Sequence, residues 1–349
     1  MRVHDNVTLG PSTSLKIGGP AARVADVDRE GEVADAVSEG GGLGSLVVLG
    51  DGSNVVIGDE GFPGLVVRVD VRGVDVRRQG PKVSVDVGAG EPWDSLVERA
   101  VGEGWCGLEG LSGIPGRVGA TPIQNVGAYG WDVGETIESV RAFDRAVGVF
   151  VDLPKAECEF GYRTSIFKRE DRFIVTRVRF VFDVGEAAIV RYAEIGRALS
   201  VPSGASAPIS RIRDAVVALR RTKGMVLDPA DSDSVSAGSF FVNPVVDERT
   251  AAKVASLAGE PPPSFPLATG ERKLAAAWLV ERAGFTKGWS KGRVGVSRKH
   301  ALALVNLGGA TARELLAVAH EIRDGVRDLF GVELEPEPRF IGCAWNAVR

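Results

Sequence analysis

The chain has 349 residues, is 44% hydrophobic and 25% charged, and carries a formal net charge of −4 at pH 7. Such a chain has room for two or three domains with a sizeable core, and its ordinary composition excludes long disorder. The acidic balance argues against a nucleic-acid partner, which calls for a basic face.

Three scattered cysteines, Cys106, Cys158 and Cys343, do not make a disulfide framework and fit a reducing cytosol. The only histidines are His4, His300 and His320, and none has a metal-ligand neighbour at useful spacing, so no metal site is expected. The opening MRVHDNVTLG lacks the apolar core of a signal peptide. No apolar run approaches the ~20 residues of a membrane span. The expectation is a cytoplasmic protein without membrane insertion.

In chain order, residues 8–19 read as a glycine-containing loop. Residues 22–27 read as a short strand, 32–38 as a helix with Val33, Ala36 and Val37 inward, and 46–49 and 65–69 as strands. A second unit opens near Asp70, with paired strands at 74–76 and 83–87. The spacing of Trp93, Leu96, Val97, Ala100 and Val101 predicts a helix over 92–103, with Pro92 in its first turn. Strands at 140–143 and 149–153 flank a turn, and 173–182 alternates as one long strand.

Ile209, Ile212, Val216 and Leu219 repeat at helical spacing in a basic helix that ends near Lys223. Residues 225–236 are rich in Asp, Ser and Pro and read as a linker or lid. Beyond them come a strand at 239–242, a helix at 250–257, a proline-rich loop at 261–266, a helix at 273–282 and a strand at 300–306. Thr311 with Glu314 predicts a capping box for a helix to about Phe330, with Leu315, Ala319, Ile322, Val326 and Leu329 on its inner face. A last strand at 340–344 is expected to return to the unit that opens near Asp70.

Two glycine-rich stretches stand out. Gly50-Asp51-Gly52-Ser53-Asn54 follows the apolar run 46–49, and residues 104–130 (GWCGLEGLSGIPGRVGATPIQNVGAYG) have no regular periodicity. Strand followed by glycine loop is a common phosphate-binding arrangement, and glycine amides make anion-binding concavities. Two such loops suggest a large ligand with a diphosphate, such as a dinucleotide. Either could instead be a surface turn, but structureless stretches as long as the second are usually functional.

GDGSNV (50–55), GLEGLSGIPGRVGATPIQNVGAYG (107–130), GYRTSIFK (161–168), AGSFFVNP (237–244) and LEPEPRFIG (334–342) together resemble the UDP-N-acetylenolpyruvoylglucosamine reductases, flavoenzymes of bacterial cell-wall synthesis. The motifs run in the family's order over nearly the whole chain. The resemblance implies an α+β fold. A two-subdomain FAD-binding region of the vanillyl-alcohol-oxidase type (1–69, then 70–228 with 331–349) would join a smaller α/β substrate-binding domain (229–330).

By position in those motifs, Ser239 corresponds to the proton donor, Arg163 to the group that stabilises the substrate carboxylate, and Glu337 to the catalytic glutamate. Tyr192, Lys223, Asn243 and His300 correspond to substrate contacts; some relatives carry glutamine where His300 stands. The implied contacts to non-covalent FAD are Gly50, Asp51, Gly52, Ser53, Asn54, Val55, Ile114, Pro115, Gly116, Gly119, Ala120, Thr121, Ile123, Gly127 and Ile174. Ala120 replaces a serine of relatives, so the backbone or Thr121 is expected to supply the missing bond.

Each residue also has a plainer reading. Ser239 is a small residue in a turn, Arg163 sits in a loop beside a tyrosine, and Glu333, Glu335 and Glu337 alternate on one face of an extended segment. A serine hydroxyl is a weak acid, nothing in its local sequence strengthens it, and the help is expected from distant residues.

The resemblance further implies NADPH as reductant and UDP-N-acetylglucosamine enolpyruvate as substrate, with a hydride reaching C3 and a proton from Ser239 reaching C2. A monomer is the default expectation. The alternatives are another FAD-dependent oxidoreductase acting on a sugar or hydroxy acid, and a non-catalytic regulator that binds sugar nucleotides.

Overall fold

The computed structural model describes residues 1–41, 45–267 and 269–347. The chain forms two compact units. The first comprises Met1–Val7, Ala21–Asp51 and Pro63–Thr222, and the second Thr8–Pro20, Gly52–Phe62 and Lys223–Arg349.

In the first unit, the strands Val149–Pro154, Ile137–Asp144, Phe173–Val184, Lys82–Gly88 and Val74–Gln79 lie side by side in that order, with Trp105–Cys106 pairing the far end of Phe173–Val184. Alternation decides what each strand buries. Val178, Phe180 and Phe182 point into a core with Val83, Val85, Val87, Trp93 and Trp105. Trp105 and Phe180 stack on either side of Phe182, with ring centroids 5.7 and 5.8 Å away. Full burial of each such side chain stabilises by about 1.5–3 kcal/mol.

The predicted helix is present as Trp93–Gly102, with Trp93, Leu96, Val97 and Ala100 buried and Pro92 at its N-cap. A second core joins Ala25, Val27, Val33, Ala36, Leu46, Leu65 and Val67 to Phe143 and Ile174. The sheet behind it has the order Arg2–Thr8, Pro20–Val27, Phe62–Val69, Leu46–Val48. Its first strand was not anticipated, because RVHDNVT is almost wholly exposed and shows no apolar face.

In the second unit, Ser236–Ser239, Ala303–Asn306, Val294–Val296 and Ser290–Lys291 form one sheet. The helix Ala312–Phe330 packs on it, started by the capping box of Thr311 and Glu314 and stopped by Gly331 at φ 70°. Leu315, Ala319, Ile322 and Val326 face inward as predicted. Leu329 does not; it is 44% exposed, and Phe330 is buried in its place, stacked on Trp278 at 5.9 Å.

Several boundaries differ from the sequence reading. The strand expected at 239–242 is Ser236–Ser239. The strand expected at 300–306 begins at Ala303, because the Ala303 amide donates to the His300 carbonyl and closes a turn. Arg272–Leu274 and Ser264–Pro266 are strands, so the helix starts only at Ala276.

Residues 225–236 are not a loose linker: Ser232–Ser234 is a 3-10 turn with Asp233 and Ser234 buried. The C-terminal strand Arg339–Ile341 pairs in parallel with Val55–Ile57, and Val242 donates to the Glu335 carbonyl. The last strand thus lies beside Val55–Ile57 and not, as expected, with the sheet of residues 74–184, and residues 331–347 group with the chain from Lys223 onward.

Candidate active site

In the first unit the long glycine stretch is held by the start of the helix Trp93–Gly102. Trp93 Nε1 donates to Leu111 O at 3.1 Å, and the Trp93 amide donates to Gly116 O at 2.9 Å. The Asp94 carboxylate takes the Gly113 amide at 2.6 Å and Arg213 Nη1 at 2.7 Å. Burial alone would raise the Asp94 pKa, but these donors outweigh it and hold the carboxyl below its usual range.

Ile114, Pro115, Gly116, Gly119, Ile123 and Gly127 keep part of their surface accessible, and Ala120 is exposed. Gly50 and Asp51 are also exposed, and their amides donate to no acceptor among the described residues. Arg117 steadies this end, reaching Asp51 with Nε, and Gly90 O at 2.5 Å and Asp70 at 3.1 Å with Nη1. Open amides beside an accessible Ile-Pro-Gly turn suit an anionic cofactor with a flat ring system.

Two expected contacts point elsewhere. Thr121 is buried, and its hydroxyl donates to Val118 O at 2.8 Å, so it does not replace the serine missing at Ala120. Ile174 is 1% exposed and packs among Ala25, Val27 and Leu65.

Arg163 sits at φ 53°, in the left-handed region. Its Nη2 donates to Gly127 O, its Nη1 lies 3.5 Å from Asp132 Oδ1, and its guanidinium carbon lies 5.3 Å from the Tyr162 ring centroid. A Cβ on Gly127 would run into the Asp132 carboxylate and come within 2.7 Å of Arg163 Nη1, so any larger residue there would displace these two side chains.

Asn125, overlooked in the sequence, ties those loops together. Its Nδ2 donates to Gly161 O at 3.1 Å, and its Oδ1 accepts the Gly134 amide at 2.9 Å. An asparagine inside a glycine stretch is itself a signal for the φ of 47° it adopts. Tyr192 is half-buried and meets Tyr129 edge-on at 5.6 Å. Burial raises the pKa of both phenols, that of Tyr129 to about 12.

In the second unit Gly52 sits at φ 59°, where a Cβ would lie 2.8 Å from Ser12 O. Ser53 O accepts from Ser14 Oγ at 3.2 Å, and Asn54 O from the Arg339 amide at 3.1 Å. Val55 opens the strand that pairs with Arg339–Ile341. Lys223, at the foot of the helix Ile209–Thr222, is partly exposed.

Ser239 Oγ lies 3.2 Å from His300 Nε2. His300, expected only as a substrate contact, is thus also the side chain that Ser239 meets. The Glu337 amide donates to Phe240 O at 2.8 Å, and Pro336 bridges Phe241, so the acidic segment pairs with the chain just past Ser239. Glu333 and Glu335 are exposed and Glu337 is half-buried, so burial separates three acids that alternation alone would place on one face. Asn243 Oδ1 accepts the Ala276 amide at 2.9 Å and so caps the helix Ala276–Arg282.

The chain matches the family models for an FAD binding domain over residues 21–153 and for the UDP-N-acetylenolpyruvoylglucosamine reductase C-terminal domain over residues 228–341. It is 50% identical to the UDP-N-acetylenolpyruvoylglucosamine reductase of Thermobifida fusca over 348 residues, covering 97% of each chain. It is 47% identical to that of Streptomyces coelicolor, covering 98% of this chain and 91% of the other. The crystal structure of UDP-N-acetylenolpyruvylglucosamine reductase from Thermus caldophilus superposes with a TM-score of 0.69 at 27% identity, covering 98% of this chain and 99% of that one. The chain belongs to the UDP-N-acetylenolpyruvoylglucosamine reductase family.

Proposed function

We propose that this protein reduces UDP-N-acetylglucosamine enolpyruvate to UDP-N-acetylmuramate in peptidoglycan precursor synthesis, using NADPH and non-covalently bound FAD. One structural observation carries the catalytic reading: Ser239 Oγ meets His300 Nε2 at 3.2 Å, directly before the strand crossing that seats Glu337. The likeness to named reductases over nearly the full chain supports the substrate assignment.

Bound FAD would supply the hydride chemistry that links NADPH to C3 of the enolpyruvyl group. Gly50, Asp51, the 52–55 segment, the 114–116 turn, Gly119, Ala120, Ile123 and Gly127 would hold it. Ser239 gives its proton to C2 and regains one from solvent. Arg163, whose planar guanidinium suits a carboxylate bidentately, and Glu337 in its protonated, hydrogen-bond-donating form stabilise the negative charge that spreads from C2 into the carboxylate. Tyr192, Lys223, Asn243 and His300 bind the UDP-sugar.

In functional terms, residues 1–69 and 70–228 serve the flavin and 229–330 the substrate. Among the described residues, no helix is long and apolar enough to cross a membrane, and no cluster could hold a metal ion. The same reading makes the protein a cytoplasmic monomer with no nucleic-acid partner.

Anaerobic stopped-flow tests this. The protein should purify yellow, bleach with NADPH and recover its colour only when the UDP-sugar enol ether is added. Recovery with other acceptors alone points to a different oxidoreductase, and a colourless protein points to a regulator.

A further inference from the structure

Asp233 lies outside every motif that marks the site, in the segment expected to be a linker. Its carboxylate is 2% exposed and saturated with donors. Ser297 Oγ donates to it at 2.8 Å, the Arg298 amide at 2.8 Å, and Arg298 Nε at 3.0 Å with Nη2 at 2.8 Å. Burial disfavours its charge, but the hydrogen bonds from Ser297 and Arg298 prevail, and its pKa lies below the usual carboxylate range.

Ser297 is fully buried, and its hydroxyl works in three directions. Besides donating to Asp233, it accepts the Lys299 amide at 3.0 Å and the His300 amide at 3.3 Å. One proton and two lone pairs are all a hydroxyl has. The turn that presents His300 is therefore built on Ser297, and Ser297 is held by Asp233. From the other side, Phe240 donates to Leu302 O at 2.7 Å, and Asn306 donates to Val235 O at 3.1 Å. Asp233 thus stands at the head of the segment that leads into Ser239, and grips the turn that carries the partner of Ser239.

We propose that Asp233 is a positioning residue for the reaction: through Ser297 it sets the turn that holds the His300 ring against Ser239, so that the serine hydroxyl keeps one orientation. This rests on the proton-donor role given to Ser239 above. A hydroxyl otherwise samples three staggered rotors, and only one presents its proton to a substrate carbon. The role requires the His300 tautomer whose Nε2–H donates to Ser239 Oγ across the 3.2 Å contact, which holds the hydroxyl oxygen and leaves its one proton for the substrate. The acceptor must be a carboxylate, because every group facing it is a donor; an asparagine of the same shape would turn its own N–H groups on at least one of them.

The test compares wild type, D233N, S297A, S239A and D233N/S239A as holoenzymes, each half-reaction measured separately. Reoxidation by the UDP-sugar enol ether should slow about tenfold or more in D233N and S297A, short of the roughly 10²–10³ lost with a direct donor. Bleaching by NADPH should stay within about twofold, and any rise in KM for the UDP-sugar, which His300 also contacts, should be smaller than the fall in kcat. D233N should cost nothing further in the S239A background, since both act through one hydroxyl.

The proposal is overturned by wild-type reoxidation in either variant, by equal losses in both half-reactions, by a raised KM with kcat kept, or by additivity with S239A. It is equally overturned if neither variant yields folded yellow protein, which would make the cluster a structural fastener alone. Absence of reoxidation in the wild type refutes the functional reading instead.

Discussion

The backbone amide of Glu337 donates to the carbonyl oxygen of Phe240 at 2.8 Å, one residue beyond Ser239. Nearly a hundred positions of sequence separate the two segments, yet this bond and the Val242–Glu335 bond lay the acidic stretch along the exit of the serine strand. An acid and a serine assigned to one reaction thus share a backbone frame. Their spacing depends on that frame and little on flexible side chains.

Replacing Ser239 with alanine should leave bleaching by NADPH unchanged and slow reoxidation by the enol ether roughly 10²–10³-fold, the usual loss when one preorganised donor is removed. Single-turnover stopped-flow separates the two steps. If both survive, Ser239 is not the proton donor.

Asn125→Ala should destabilise the first unit by about 2–4 kcal/mol. The substitution strands the buried Gly134 amide, leaves the Gly161 carbonyl with the Thr164 amide alone, and places alanine at a left-handed φ. Asn125→Gly relieves only the backbone strain and should fall between alanine and wild type. Urea midpoints of the three proteins rank them, and any other order disproves this account of the loop.

Tyr129 gives a pH signature. Its folded-state pKa is pushed up to about 12 by burial, above the ordinary value of 10.0. A group whose pKa is raised on folding contributes fully below its unfolded pKa and loses that contribution as pH rises towards its folded one. Between pH 10 and 12 the wild type should therefore lose about 2 kcal/mol more stability than Tyr129→Phe. Parallel denaturation curves across that window, with no divergence, would refute the burial argument.

Thr311→Ala should cost about 1 kcal/mol, because it removes the acceptor for the Glu314 amide at 3.2 Å at the start of the longest helix. Both half-reactions should keep their wild-type rates. A change in either rate would mean that this helix does more than support the sheet beneath it.

Much was legible in the sequence wherever burial follows a short repeat. The helix at Trp93–Gly102, the strand Phe173–Val184 and the capped helix Ala312–Phe330 each announce themselves by local spacing. The reading failed where two neighbours compete for one inward position. Val326 is followed at three residues by Leu329 and at four by Phe330, and spacing alone cannot say which is buried. It also failed at the segment 225–236, whose polar composition reads as solvent-exposed although Asp233 is buried by donors more than sixty residues away.

By itself the sequence determined the helices and strands with strong periodicity and the family, because these depend on residue type and order. Tertiary structure alone decided that Thr121 and Ile174 turn inward, that the strand Arg339–Ile341 pairs with Val55–Ile57 and not with the sheet of residues 74–184, and that His300 reaches Ser239. Those outcomes depend on which distant backbone groups find each other. No short-range repeat in the chain records such pairings.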